Sequence, residues 1–231
     1  MTEPARYTEV ARHFDRAELP ALVTRLAPPG PLALADLGCG DGPQFAALER
    51  AGLIGPTRPV YAVDLEADRL ARVATRWSYI QTVVAAADRV PEIPDASLDF
   101  VISTMVMEHV PDERRYLDEI RRVLRPGGRA YLTTVFKRRW AWYFRKRGGE
   151  SVLDTSHLRE YVDLPAFEAL VLEGGRFREL VARELVPLWF PVLDPVLFRL
   201  GSRLPPRALG WLRRPRVPIP GYFSLEIVVA R

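Results

Sequence analysis

The sequence predicts an α/β fold, a three-layer sandwich in which a mostly parallel sheet is covered by helices on both faces. Three observations lead there. Short apolar runs alternate with segments of helical period from Leu32 to Phe136, the pattern of strand, helix and strand joined by right-handed crossovers. The first run leads into a glycine-rich turn with Gly38, Gly40 and Gly42. Acids stand at the ends of the next two, Asp64 and Asp88, and ligands of such sheets bind where the strands end.

Taken in order, residues 5–27 read as a helix kinked at Pro20, with Tyr7, Val10, Phe14, Leu19, Leu22, Val23 and Leu26 at roughly helical spacing. Strand Leu32–Leu37, helix Gln44–Ala51, strand Val60–Val63 and helix Ala67–Trp77 follow. Strands Thr82–Ala85 and Leu98–Ser103, helix Asp112–Leu124 and strand Arg129–Phe136 complete the alternation. Pro126, Gly127 and Gly128 are expected to end the last helix sharply, because proline cannot continue it and glycine supplies a cap. The pattern lapses over 137–160, which is basic and aromatic, then resumes with helix Leu164–Glu173 and strand Phe177–Leu185. Leu188–Pro220 reads as an apolar, basic, proline-rich insertion, and Tyr222–Ala230 as a closing strand. One domain is expected, with a helical cap (1–30), a core (31–136), a later segment carrying the insertion (137–220) and the closing strand (221–231).

With 231 residues, 48% of them hydrophobic, the chain can bury a full core. Its net charge of +4 is unevenly placed: residues 1–136 carry 16 basic against 19 acidic side chains, and 137–216 carry 16 against 9. The later segment therefore suits an anionic partner. Cys39 is the only cysteine, which excludes an intramolecular disulfide and fits a reducing compartment. Met1–Arg16 is polar and of mixed charge, unlike a secretory signal, and no apolar stretch approaches the roughly 20 residues of a membrane span. A cytoplasmic location is expected, with peripheral membrane contact through 188–216.

The turn reads ALADLGCGDG over 33–42. Glycines there let the backbone turn tightly and approach a ligand, and the helix that follows offers unpaired N–H groups. A dinucleotide fingerprint would put its third glycine where Pro43 stands, which disfavours NAD and FAD. Asp64 is placed to accept from the hydroxyls of a ribose, and Asp88 from an adenine amino group. These features, with SLDFVISTMVMEHVPD and YLDEIRRVLRPGGRAYLTT, make the stretch from Leu32 to Phe136 resemble the class I S-adenosylmethionine-dependent methyltransferases of small-molecule type.

The resemblance implies a seven-stranded sheet whose last strand runs antiparallel, with S-adenosylmethionine as cofactor. It places Asp36 and the loop Gly38, Cys39, Gly40 and Gly42 at the methionine part, Asp64 and Leu65 at the ribose, and Asp88 and Arg89 at the adenine. Ser103, Thr104 and Met105 would line the sulfonium. An acceptor hydroxyl needs its proton removed, and His109 and His157 are the candidate bases, whereas His13 is read as a surface or lid residue. Ubiquinone-pathway relatives that bind a divalent metal carry an acid three residues before their Glu-His pair. Here that position is Met105, so no metal is expected.

On the acceptor side, KRRWAWYFRKR (137–147) interleaves Trp140, Trp142, Tyr143 and Phe144 with six basic residues, suited to stacking and to phosphate. The expected reaction is O-methylation of a small-molecule, sugar or lipid-linked acceptor. Nucleic acid is disfavoured as a partner because the early part of the chain is acidic. The alternative is a fold that binds the cofactor without transferring methyl, as an accessory subunit or a rearrangement catalyst. Oligomeric state has no signature in the sequence.

Overall fold

In a computed structural model the chain forms a seven-stranded sheet with helices on both faces; the structure describes residues 18–191 and 216–231. In chain order the elements are α1 (Ala21–Leu26), β1 (Leu34–Leu37), α2 (Phe45–Arg50), β2 (Val60–Asp64), α3 (Ala67–Arg76), β3 (Gln81–Val84), β4 (Leu98–Thr104), α4 (Glu113–Val123) and β5 (Leu124–Lys137). A small hairpin of β6 (Lys146–Arg147) and β7 (Glu150–Ser151), then α5 (Leu164–Leu172), β8 (Glu179–Pro191) and β9 (Arg216–Ala230) complete it. The sheet order is β3-β2-β1-β4-β5-β9-β8. β1 to β5 pair in parallel, and β9 runs antiparallel between β5 and β8.

Strand alternation sorts the core into two layers. On one face Leu37, Val63, Val101 and Leu132 pack with Tyr116, Leu117 and Ile120 of α4 and with Phe167 of α5. On the other Leu34, Val60, Phe100 and Tyr131 meet Leu22 and Val23 of α1, Phe45 and Leu48 of α2, and Leu70 and Val73 of α3. Burying a side chain of this size contributes about 1.5–3 kcal/mol, so the two layers fix which face each helix must cover. β1 is buried along its whole length, as an inner parallel strand should be. Among the described residues no helix is long and apolar enough to cross a membrane.

The structure departs from expectation in four places. No helix runs through Pro20: α1 starts after it, with Pro20 at the N-cap, and residues 5–17 lie outside the described part, as does His13. α4 ends at Val123, so Pro126, Gly127 and Gly128 lie within the span of β5, where the pairing slips between Leu98 with Leu124 and Phe100 with Arg129. The ends of the expected insertion are strand: β8 and β9 run past the sheet as a two-stranded ribbon, pairing Trp189 with Pro218 and Phe190 with Val217. The rest of 188–216, from 192 to 215, lies outside the described residues. Finally, the basic aromatic stretch contains the β6–β7 hairpin, which turns through Gly148 and Gly149, both of positive φ, as a two-residue turn that follows strand twist requires.

Candidate active site

At the carboxyl end of β1 the chain turns through Gly38, Cys39 and Gly40. Gly38 has φ of 75°, and a Cβ there would stand 2.3 Å from Cγ2 of Val106, so the loop after β4 leaves room for glycine alone. Asp64, at the end of β2, holds the turn: one carboxylate oxygen accepts from the Gly40 N–H at 2.8 Å and the other from the Glu66 N–H at 3.0 Å. α3 turns Leu70 and Val73 inward, and its arginines flank the loop. Arg72 pairs with Asp41 at 2.5 Å, and Arg69 Nη1 lies 3.3 Å from the Cβ position of Gly40. Burial, with Asp36 and Asp64 beside it, pushes the Cys39 thiol well up, so it stays uncharged; its Sγ donates to Gly40 O at 3.5 Å.

The other expected cofactor residues fall as follows. Asp36 is buried in β1, while Leu65 is exposed. Asp88 lies 3.7 Å from Arg115 of α4, and Arg89 is exposed, lining a surface depression with Pro91, Asp95, Glu119 and Arg122. Ser103 is fully buried and donates to Leu37 O at 2.6 Å, tying β4 to β1 beneath the glycine turn. Thr104 ends β4. Met105 follows in the left-handed region, φ 57°, its N–H donating to Thr133 O at 3.0 Å. That conformation costs an L-residue roughly 1–3 kcal/mol and marks the turn as one held by its surroundings.

Beyond Met105 the chain meets the segment that follows β5. Arg159 clamps the two together: its guanidinium donates to the carbonyls of Met107, Val110 and Pro111 and pairs with Glu113 at 2.6 Å. The Leu158 N–H donates to Glu108 O at 2.8 Å. The clamp brings the two candidate histidines into contact, with ring centroids 4.8 Å apart, edge to face. His109 is exposed on its free side, and desolvation, then the neighbouring His157, holds it below its ordinary value.

His157, polar in its sequence setting, is buried. Its burial is compensated by Glu160, whose carboxylate lies 2.9 Å from Nδ1. Glu160 is itself held by the Leu153 N–H at 2.6 Å, by Lys137 at 3.1 Å and by the Tyr222 hydroxyl at 3.4 Å. Burial pushes this carboxyl up, but the hydrogen bond from His157, that from Leu153 and the Lys137 charge outweigh it and hold it below the usual range. Glu160 was not among the expected residues, although its three-residue spacing from His157 was readable. Glu108, also buried, accepts from the Thr134 hydroxyl at 2.9 Å, its Oε1 has no hydrogen-bond partner among the described residues, and desolvation pushes its carboxyl up. Glu108, His109 and His157 offer ligand atoms within 4.8 Å of one another.

A family model described as a methyltransferase domain matches residues 35–132. The chain is 32% identical over 123 residues to an uncharacterized methyltransferase of Mycobacterium bovis, covering 53% of this chain and 57% of that protein. To a human thiol S-methyltransferase it is 29% identical over 168 residues, covering 71% and 68%. Among solved structures it is similar to phosphoethanolamine N-methyltransferase 2 of Haemonchus contortus in complex with phosphomonomethylethanolamine and S-adenosylhomocysteine. That likeness has a TM-score of 0.60 at 16% identity, covers 91% of this chain and 51% of the other, and shows the fold. The chain spans about half the length of the curated relatives it matches. Sheet order, loop placement and the sequence likeness over residues 35–132 converge in support of a class I methyltransferase whose cofactor is S-adenosylmethionine.

Proposed function

We propose that the chain transfers a methyl group from S-adenosylmethionine to a hydroxyl of a small-molecule, sugar or lipid-linked acceptor, with His157 as general base. The observation that carries this reading is the Glu160–His157 pair: a buried carboxylate fixed by three donors, besides His157 itself, leaves Nε2 of the imidazole as the proton acceptor. The residues around the glycine turn fit the cofactor. Arg69 offers a cation at Gly40 for a carboxylate, and Asp64 offers acceptors for ribose hydroxyls. In this reading Asp36, Gly38, Cys39, Gly40 and Gly42 flank the methionine part, Asp64 and Leu65 the ribose, Asp88 and Arg89 the adenine, and Ser103, Thr104 and Met105 the sulfonium.

When bound, the cofactor supplies a methyl group already activated by the sulfonium charge. The chain then has to align the acceptor in line with that methyl, a placement that can contribute roughly 7 kcal/mol or more. It has also to take a proton. His157 accepts the hydroxyl proton at Nε2, and Glu160, accepting from Nδ1–H, stabilises the resulting imidazolium. His109 borders the same imidazole edge to face.

No metal enters this reading, because Met105 stands where metal-binding relatives carry a further acid. The Glu108, His109 and His157 ligand atoms lie within 4.8 Å of one another, so a chelator is the check on this part of the reading. Incubation with labelled cofactor and matched hydroxyl, thiol and amine acceptors tests the proposal. Methylation of the hydroxyl series, lost in His157→Ala and unaffected by a chelator, is expected. A thiol is partly ionised near neutrality and needs no base, so thiol methylation that survives His157→Ala overturns the hydroxyl assignment. Exclusive labelling of protein or tRNA would do the same.

A further inference from the structure

Over 140–144 the side chains alternate like those of a strand. Ala141 and Tyr143 turn inward, and Tyr143 packs on Tyr222 and Phe190 with ring centroids 6.2 and 6.1 Å away. The alternation leaves the three other aromatics outside: Trp140, Trp142 and Phe144 are 70%, 58% and 53% exposed. All three stand at the base of the β8–β9 ribbon. Trp142 N–H donates to Pro220 O at 3.1 Å, Trp140 Cζ3 lies 3.2 Å from the Cβ position of Gly221, and Phe144 is 5.7 Å from Phe190. On the ribbon itself Trp189 and Val217 are 52% and 49% exposed. The same stretch supplies exposed cations on both sides of the aromatics, at 138–139 and at 145–147, and no acid interrupts 137–147.

We propose that this surface docks on an anionic lipid bilayer, with the aromatic rings in the interface and the arginines on headgroup phosphates. Indole rings combine an apolar body with a polar edge and settle at the boundary between headgroup and acyl chain, where flanking Arg and Lys reach phosphate. Charge complementarity decides between occupants. A second copy of the chain would cover the rings only by bringing two cationic patches face to face, because a two-fold interface sets like against like. A polynucleotide would satisfy the cations and stack bases on the tryptophans, but it has nothing apolar to offer Val217 on the ribbon. The surface adjoins the proposed site, since Lys137 and Tyr222 at its margin both hold Glu160, but its test does not depend on methyl transfer.

The full chain should sediment with vesicles of phosphatidylcholine and phosphatidylglycerol, and scarcely with phosphatidylcholine alone. Its tryptophan emission should be quenched by brominated lipid, and binding should fade as salt shortens the screening length. Replacing Arg138 or Arg139 by Gln is expected to weaken partitioning by about fivefold each. Trp140→Ser with Trp142→Ser should abolish the quenching of those rings while calorimetric affinity for S-adenosylmethionine stays at the wild-type value. Equal sedimentation of wild type and variants overturns the proposal. So does self-association that the tryptophan variant loses, or a preference for tRNA over anionic vesicles. Failure of cofactor binding in the wild type would defeat the methyltransferase reading and leave the vesicle result standing.

Discussion

Gly38 shows how little freedom a single residue has at this site. A methyl group there would collide with Val106 and would have to adopt a positive φ, two separable penalties. Gly38→Ala is expected to cost about 2–4 kcal/mol in urea unfolding and to weaken calorimetric binding of S-adenosylmethionine. Adding Val106→Ala should return the part due to collision and leave the part due to φ; no recovery would place the fault elsewhere. The glycine turn and the place of Asp64 at the end of β2 were legible because a tight turn at a strand end needs small residues at fixed places along the chain. Val106 and Glu160 were not singled out, because Val106 matters only once the loop after β4 meets the turn after β1, and Glu160 only once Lys137 and Tyr222 converge on it. His157→Ala should lower kcat by about 10²–10⁴. Glu160→Gln, acting through the imidazole, should lower kcat and shift its pH profile while KM for the cofactor stays put; an unchanged profile would reduce Glu160 to a structural partner.

At the scale of elements, legibility followed the strength of the period. α4 was readable at its start and along its buried face: Asp112 caps it, accepting from the N–H groups of Arg114 and Arg115 at 2.9 and 3.2 Å, and Tyr116, Leu117, Ile120 and Val123 form its buried face. Asp112→Ala is expected to destabilise the protein by about 1 kcal/mol, seen as a fall of about 2–4 °C in Tm, with Asp112→Asn nearly neutral. Equal losses in both variants would mean that the carboxylate charge, and not the cap, is what matters. The long ribbon of β8 and β9 was hidden because Pro187, Pro191, Pro218 and Pro220 argue against strand. It tolerates them because Pro218 and Pro220 lie beyond the register with β5, which ends at Tyr222, and because β8 is an edge strand among the described residues. The β6–β7 hairpin had its turn signal in Gly148 and Gly149, but charged flanks gave it no strand period.

Across the whole molecule, the ionisable groups buried by folding fix how stability depends on pH. For the Asp99, Glu119, Asp154 and Glu160 carboxyls burial pushes upward, but hydrogen bonds and neighbouring cations outweigh it and hold each below its ordinary value. Such groups stabilise the fold above their unfolded values of about 3.9–4.3, and that contribution is lost as pH falls through the folded values. His109, also held low, favours the neutral ring, so its contribution declines with falling pH from about 6.5 downward. Glu108 works in the opposite sense. Desolvation raises its carboxyl, so ionising it costs the folded state above about pH 4.3, and the cost vanishes where both states are protonated. Tm should therefore fall gently below about pH 6.5 and steeply below about pH 4. Glu108→Gln, which keeps an acceptor for Thr134 without the charge, should raise Tm near neutrality, and its advantage should shrink as the pH approaches 4. An advantage that is equal at both ends of the titration would mean that the buried Glu108 carboxylate costs the fold nothing, and that its unpartnered oxygen is satisfied by solvent.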